Sequence, residues 1–411
     1  MALSRRARNW KLHTVDGILE ETLAHAGAPA HPCTQRGGRP RPSAQVFRFL
    51  QPCGIKYVPE ALPFNVVCSA IAMLPWKLFW DWQHNFCSSG GIAQYHVNSF
   101  CHALLEAGII PSLDTLDDFA QTVILPKSQP RLSKEFFQDR VVGNRDGHIR
   151  GFATETLIAV ELLGMWIDQV LVPKGTLADE SKIFLKLRRI LDILKSGDAA
   201  VGRLDELDTL FYEYHKGVLD LFHCVQKIHY MRHIPESIRY LNCCLSCFAP
   251  ERKHKEPKSL AAFTYKNCYK SMLAHDIRKM KLSFQDANFF EPVRLNGGGM
   301  LTGLERTLGC DGAHGANSVF TPRGTFSQKE ILVWKNGQTI CAGVAISFLR
   351  LSYVNRDSRF KVVAEPLVHL GGDTFASRGV PPVLINLELV RAHVSYQKVQ
   401  GGLRLNLPRV W

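Results

Sequence analysis

The sequence predicts an α+β protein, with a mainly helical middle between two charged motifs and a small all-β domain after it. Three observations lead there. Between Gln94 and Arg232 apolar residues recur at helical spacing, which is the signature of amphipathic and buried helices. Beyond residue 329 they fall in short runs around Asn336-Gly337, a strong local hairpin signal. The third is charge: 50 Lys and Arg stand against 37 Asp and Glu, giving +13 on 411 residues, unevenly spread. That length supports two or three domains.

In chain order, residues 1–48 read as a disordered basic arm, because Ala28 to Ser43 is Ala, Gly, Pro and Arg with almost nothing to bury. A core over 49–292 follows. Leu74 to Trp80 is an apolar run ending at Asp81 and predicts a short buried strand. Gln94 to Ala107 predicts a helix, with Val97, Cys101, Leu104 and Leu105 on one face. Thr115-x-x-Asp118 has the form of a capping box, and Pro126 closes that segment. Thr154 to Val172 is apolar almost all round and predicts a central helix. Ser181 to Lys195 is amphipathic, and Leu204 to Arg232 predicts one long helix stopped by Pro235. Residues 151–232 thus form a helical block. Gly297-Gly298-Gly299 opens a turn-rich linker over 293–328, and 329–411 reads as the β domain, with further strands in Phe360 to Leu370 and Val383 to Val394.

Charge and composition narrow the function. Residues 223–281 hold twelve Lys and Arg but only four acids, a concentration that suits a polyanionic partner or a solvated basic helix face. Arg5, Arg6 and Arg8 precede no apolar core, so no secretory signal is expected. Glu155, Glu161 and Asp168 interrupt the most apolar run, which speaks against a membrane span. The 12 cysteines are then expected reduced, in a nuclear or cytoplasmic protein.

Two motifs carry chemistry. An acid directly after an apolar strand, as Asp81 is, stands where sheets place functional groups; the plainer alternative is a helix N-cap or turn acid. His84, three residues on, suits a hydrogen bond to that carboxylate, or a core position. The second motif is Phe248-Ala249-Pro250-Glu251-Arg252-Lys253-His254-Lys255. Pro250 suits a helix start, and Lys258 follows Glu251 by two turns, although Pro257 lies between. Two carboxylates sharing divalent cations, beside lysines for phosphate, is the equipment of phosphodiester chemistry. A solvated charge cluster is the plain alternative for Glu251 to Lys258. Cys243-Cys244-x-x-Cys247 with His223, Cys224, His229 and His233 raises zinc, but one C-x-x-C inside an apolar run is a poor match to a closed site. Gly297 to Gly299 lacks the Lys-Ser/Thr of a phosphate loop.

With these residues in hand, the chain resembles the transposases of CACTA-type (En/Spm-like) cut-and-paste elements. The resemblance rests on Asp81-Trp82-Gln83-His84 with Asn98 on the next helix, on His233-Ile234-Pro235, and on Phe248-Ala249-Pro250-Glu251-Arg252 with Lys258. It spans roughly residues 49 to 292 and, more loosely, 325 to 411. It implies a ribonuclease H-like core interrupted by a helical insertion, the block over 151–232, and an Asp-Asp-Glu triad holding two Mg²⁺ or Mn²⁺ ions. Asp81 and Glu251 would then be catalytic metal ligands, with Glu161 or Asp168 as fallbacks for the third acid and His84 beside Asp81. Arg252, Lys253, Lys255 and Lys258 would bind nucleic acid. Upstream of Asp81 the acids are Asp16, Glu20, Glu21 and Glu60, and none ends a convincing strand. The expectation is therefore a truncated or decayed copy lacking the first triad Asp. The expected partner is DNA, with a homo-oligomer left open, no membrane and no small-molecule cofactor. The alternatives are a non-enzymatic nuclear DNA-binding or scaffold protein and a helical adaptor whose charge is incidental.

Overall fold

The computed structural model describes residues 81–221, 226–244, 246, 268–285, 293–303, 305–321, 324–354 and 356–407. The arm over 1–48 and the apolar run entering Asp81 lie outside them. The chain is α+β, its helices and antiparallel sheets occupying different stretches. It divides into two compact units. The first takes residues 81–102, Val142–Ala153 and Leu177–Ser246. The second takes Ala103–Val141, Thr154–Thr176 and the described residues beyond 246.

The described helices up to residue 285 are α1 (Trp82–Phe86), α2 (Ile92–Glu106), α3 (Asp114–Thr122), α4 (Phe136–Arg140), α5 (Ala153–Trp166), α6 (Ala178–Lys195), α7 (Leu204–Leu221), α8 (Gln226–Tyr230), α9 (Ile234–Leu241) and α10 (Cys268–Gln285). Phe86, Phe100, Phe184, Phe211 and Tyr214 are fully buried in the first unit, with the Phe100 and Phe184 rings 5.0 Å apart. His96 is buried among them, its Nδ1 2.8 Å from the Tyr214 hydroxyl, and burial lowers its pKa to about 3. It is a neutral core histidine. Helices α6 and α7 approach closely at Gly217, where a Cβ would fall 2.3 Å from Ile183 Cδ1. Glu206 adds a polar tie, accepting from Arg189 Nε at 2.6 Å and Arg203 Nε at 2.8 Å.

Several sequence expectations are corrected here. Thr115 is no cap: α3 starts at Asp114 behind Leu113 with no side-chain cap bond, and the Ser112 hydroxyl donates to Asp114 Oδ2 instead. The segment predicted as one helix over Leu204 to Arg232 ends as α7 at Leu221 and resumes as α8 beyond the undescribed residues 222–225. Pro235 does not stop it. Proline lies in the first turn of α9, where its missing N–H has no intrahelical partner to lose. Helix α5 continues as a π-turn (Ile167–Leu171) and a 3₁₀ turn (Val172–Lys174), closed by Gly175 at φ +65°. Among the described residues Ala153–Lys174 is the one helix long and apolar enough to cross a membrane, and 61% of its most apolar 18-residue stretch is buried inside the protein. A helix apolar all round has to be covered on every side, and protein covers most of this one.

The strands are β1 (Val123–Ile124), β2 (Arg294–Asn296), β3 (Gly299–Met300), β4 (Gly312–Ala316), β5 (Ser318–Thr321), β6 (Gly324–Ser327), β7 (Ile331–Asn336), β8 (Thr339–Tyr353), β9 (Arg356–Gly371), β10 (Thr374–Ser377), β11 (Val383–Asn386), β12 (Val390–His393), β13 (Tyr396–Val399) and β14 (Gly402–Leu405). A short helix, α11 (Glu305–Leu308), separates β3 from β4. Among the described residues they make an 11-stranded sheet, with the path β1-β13-β14-β10-β9-β8-β4-β3, and a 3-stranded sheet β2-β5-β6. Strand β8 pairs on one side with β7 and β4 and on the other with β9, all antiparallel. Val319, Phe326, Leu332, Trp334, Phe348, Val362 and Val390 form its main core.

The predicted hairpin is present, displaced by one residue. Asn336 still pairs with Thr339, so the two loop positions are Gly337 and Gln338, with Gly337 supplying φ +62°. The expected linker over 293–328 is overturned: β2 to β6 lie there, and β4 pairs with β8 from Gly312 to Ala316. Glycine-rich sequence reads as loop, yet here small residues let strands close up. A Cβ on Gly298 would meet Gly315 O at 1.9 Å. The β region therefore begins near 294, not 329, and recruits β1 from far upstream through Val123↔Gln397.

Candidate functional site

Asp81 is the N-cap of α1. Its carboxylate accepts from Gln83 N at 3.4 Å through Oδ1 and from His84 N at 2.9 Å through Oδ2. His84 Nδ1 lies 2.5 Å from the same Oδ2, so the pairing expected at three-residue spacing is made. Asp81 is mostly covered and His84 half exposed. Both carboxylate oxygens thus serve the helix start, in the arrangement that short acidic caps use to satisfy orphan amides.

The turn after α1 is held from a distance by Lys227 of α8. Its ammonium donates to His84 O at 2.8 Å, Ser88 Oγ at 3.1 Å and Ser89 O at 3.2 Å, while Ser88 Oγ donates to His84 O at 2.6 Å. Three donors meet three acceptors, which fills the lysine's capacity. Burial pulls the Lys227 pKa below its ordinary value, with nearby Cys87 acting the other way. Burial pushes the Cys87 thiol well up, against the pull of Lys195 and Lys227, so this cysteine is inert packing. Gly91 completes the turn; a Cβ there would meet Phe86 O at 2.3 Å. Sequence reasoning counted Lys227 only as one cation in a basic stretch. Its role depends on a contact across more than a hundred residues, and no local pattern announces it.

Asn98 is buried and committed. Its Nδ2 donates to Asn144 O at 2.9 Å and Arg145 O at 3.3 Å, and its Oδ1 accepts from Val142 N at 2.9 Å. It pins the loop after α4. His233 is buried with Nδ1 3.3 Å from Glu236 Oε2; burial lowers its pKa, with Glu236 opposing. Glu161 accepts from Ser395 Oγ at 2.8 Å and Asn406 Nδ2 at 2.7 Å within the second unit. Cys244 is held by burial at a pKa of about 12, its thiol 3.7 Å from Leu194 O.

Glu251, Arg252, Lys253, Lys255 and Lys258 lie outside the described residues, as do Asp16, His223, Cys224 and Cys247. Among the described residues no three His, Cys, Asp or Glu side chains gather to hold a metal ion. Asp81 offers one carboxylate whose two oxygens are already bonded, so the described part of the chain does not by itself make up a two-cation site. Between Ile124 and Arg294 the described residues contain no strand, so β1 is the one strand described in 81–285. Comparison of the chain with protein-family models, with curated proteins and with solved structures finds no match.

Proposed function

We propose that the chain is a DNA-binding protein of transposase descent that engages the phosphate backbone through residues 223–281. The observation that carries this reading is the charge of that stretch, twelve Lys and Arg against four acids. Within it, α10 presents Arg278, Lys279 and Lys281 as exposed side chains, a surface of the charge that phosphates meet. The descent rests on the motifs around Asp81, His233 and Glu251 and on their order. Its finer form is a ribonuclease H-like core that performs cut-and-paste strand transfer, with Mg²⁺ or Mn²⁺ held by Asp81 and Glu251. The capping geometry of Asp81 favours the second reading, a non-enzymatic nuclear DNA-binding or scaffold protein, because the carboxylate already has a structural task.

Titration of a labelled duplex with the full-length chain at several salt concentrations tests the reading. Log affinity should fall steeply with log salt. Reversing Arg278, Lys279 and Lys281 to Glu should flatten that slope by roughly 2 to 3, at about 0.9 per lost phosphate contact. Reversing Arg252, Lys253 and Lys255 should act alike. Binding without salt dependence, or slopes unmoved by both sets, rejects it.

A further inference from the structure

A line of three side chains in the second unit serves no purpose in DNA binding. Glu330, just ahead of β7, is 5% exposed, and its carboxylate accepts from Lys127 N at 2.7 Å and Ser327 N at 2.8 Å. Its Oε2 is also 3.2 Å from His393 Nδ1, on the neighbouring strand β12. The other ring nitrogen, His393 Nε2, lies 3.5 Å from Ser128 Oγ. Ser128 is exposed on the turn between Pro126 and Pro130 that follows β1. We propose that Ser128, His393 and Glu330 form a hydrolytic relay: a serine nucleophile, a histidine base and a carboxylate that positions the base, acting on small activated acyl esters.

Each part has the character its role requires. Burial works to raise the Glu330 pKa, but His393 and the Ser327 and Lys127 amides together hold it below the ordinary carboxylate value, so it stays ionised. An ionised Glu330 fixes the proton of His393 on Nδ1 and leaves the Nε2 lone pair directed to the serine side. The Phe326 ring meets the imidazole edge-on, centroids 5.3 Å apart, and limits its rotation. The Ser–His separation is at the outer limit of a hydrogen bond, the loose spacing that such pairs show before substrate binds. In the turn, Lys127 N is taken by Glu330 and Gln129 N by Pro126 O, while no described residue bonds the Ser128 amide. A nucleophile's own amide is one of the donors that steady a tetrahedral oxyanion. Lys127, its ammonium 2.8 Å from Gln328 O, adds positive charge at the neighbouring position. With Ser128 exposed, little binding energy is on hand to lower the barrier, so the substrate class is one already activated towards acyl transfer.

The step balances with water as the one co-reactant. Ser128 Oγ bonds to the acyl carbon as its proton passes to His393 Nε2. The ester C–O bond then breaks, and the leaving oxygen takes that proton. Water adds to the acyl-serine, giving a proton to Nε2; the carboxylic acid departs as Ser128 regains it.

A clasp built of Glu330 and His393 alone gives the Ser128 hydroxyl no reactivity, and this separates the two roles. The full-length chain is treated with a fluorophosphonate probe, mapped by peptide mass spectrometry, and assayed for hydrolysis of p-nitrophenyl acetate. The relay predicts an adduct on Ser128, absent in Ser128→Ala, an exposed substitution that leaves the fold intact. Hydrolysis should fall by ~100-fold or more in His393→Gln. Glu330→Gln, a positioning change that keeps the shape, should lower the rate and displace its pH profile. No adduct on Ser128, or labelling and hydrolysis unchanged in His393→Gln, overturns the relay and leaves a structural clasp.

Discussion

At Asp81 one carboxylate closes the open amides of a five-residue helix and holds His84, and the consequences of changing it can be separated. Asp81→Ala removes the cap and should cost about 1 kcal/mol of stability by denaturant titration. Asp81→Asn keeps a capping oxygen and should cost little, since Asn ranks with Asp as an N-cap. If the chain nicks DNA with Mg²⁺, the Asn variant should lose nicking while its unfolding midpoint stays put; nicking retained in that variant assigns Asp81 to the helix alone. The three-residue spacing of Asp81 and His84 offered a hydrogen bond to the carboxylate or to a phosphate beside the plainer reading of a core histidine, and the half-exposed ring bonded to Asp81 decides against the core. The Lys227 staple was not legible in the sequence, since two of its three acceptors are backbone carbonyls that carry no residue signature, and all three lie far away in the chain.

The elements that sequence period read correctly are those whose apolar residues recur at a regular spacing within the element itself, whatever partners later bury them. Helix α2 lies at Ile92–Glu106 against an expected Gln94 to Ala107, and α6 at Ala178–Lys195 against Ser181 to Lys195. The hairpin β7–β8 emerged because its turn is local. The stretch 293–328 was misread, since its short strands take their partners from β8 and from each other rather than from hydrophobic period. Glu330 shows the same dependence on distant partners, and it predicts a pH response. Its folded pKa lies below the unfolded value, so the unfolded chain binds more protons and stability rises with pH through the carboxylate range. The contribution is present above the unfolded pKa and lost as acid protonates the folded group. Acid titration followed by near-ultraviolet dichroism should show the β unit loosening, and Glu330→Gln should shrink that dependence while lowering stability at neutral pH by about 1–3 kcal/mol.

Among the described residues the helical unit and the sheet each have fully buried aromatic anchors. Phe211 belongs to the helical unit, stacked 6.0 Å from Phe86, and Phe348 to the sheet. Truncating either to Ala should cost about 3–5 kcal/mol. Hydrogen exchange should report the loss in α6 and α7 for Phe211→Ala, and in β7 to β9 for Phe348→Ala. By itself the sequence determined the α+β class, the helical middle, the β-rich end and the surplus of positive charge, because period and composition are properties of neighbouring residues. Only the tertiary structure decided that the supposed linker is sheet, that Lys227 closes the turn beside Asp81, and that Ser128, His393 and Glu330 share a line. Each of those depends on partners separated by tens to hundreds of residues, and long-range contacts leave no imprint on local spacing.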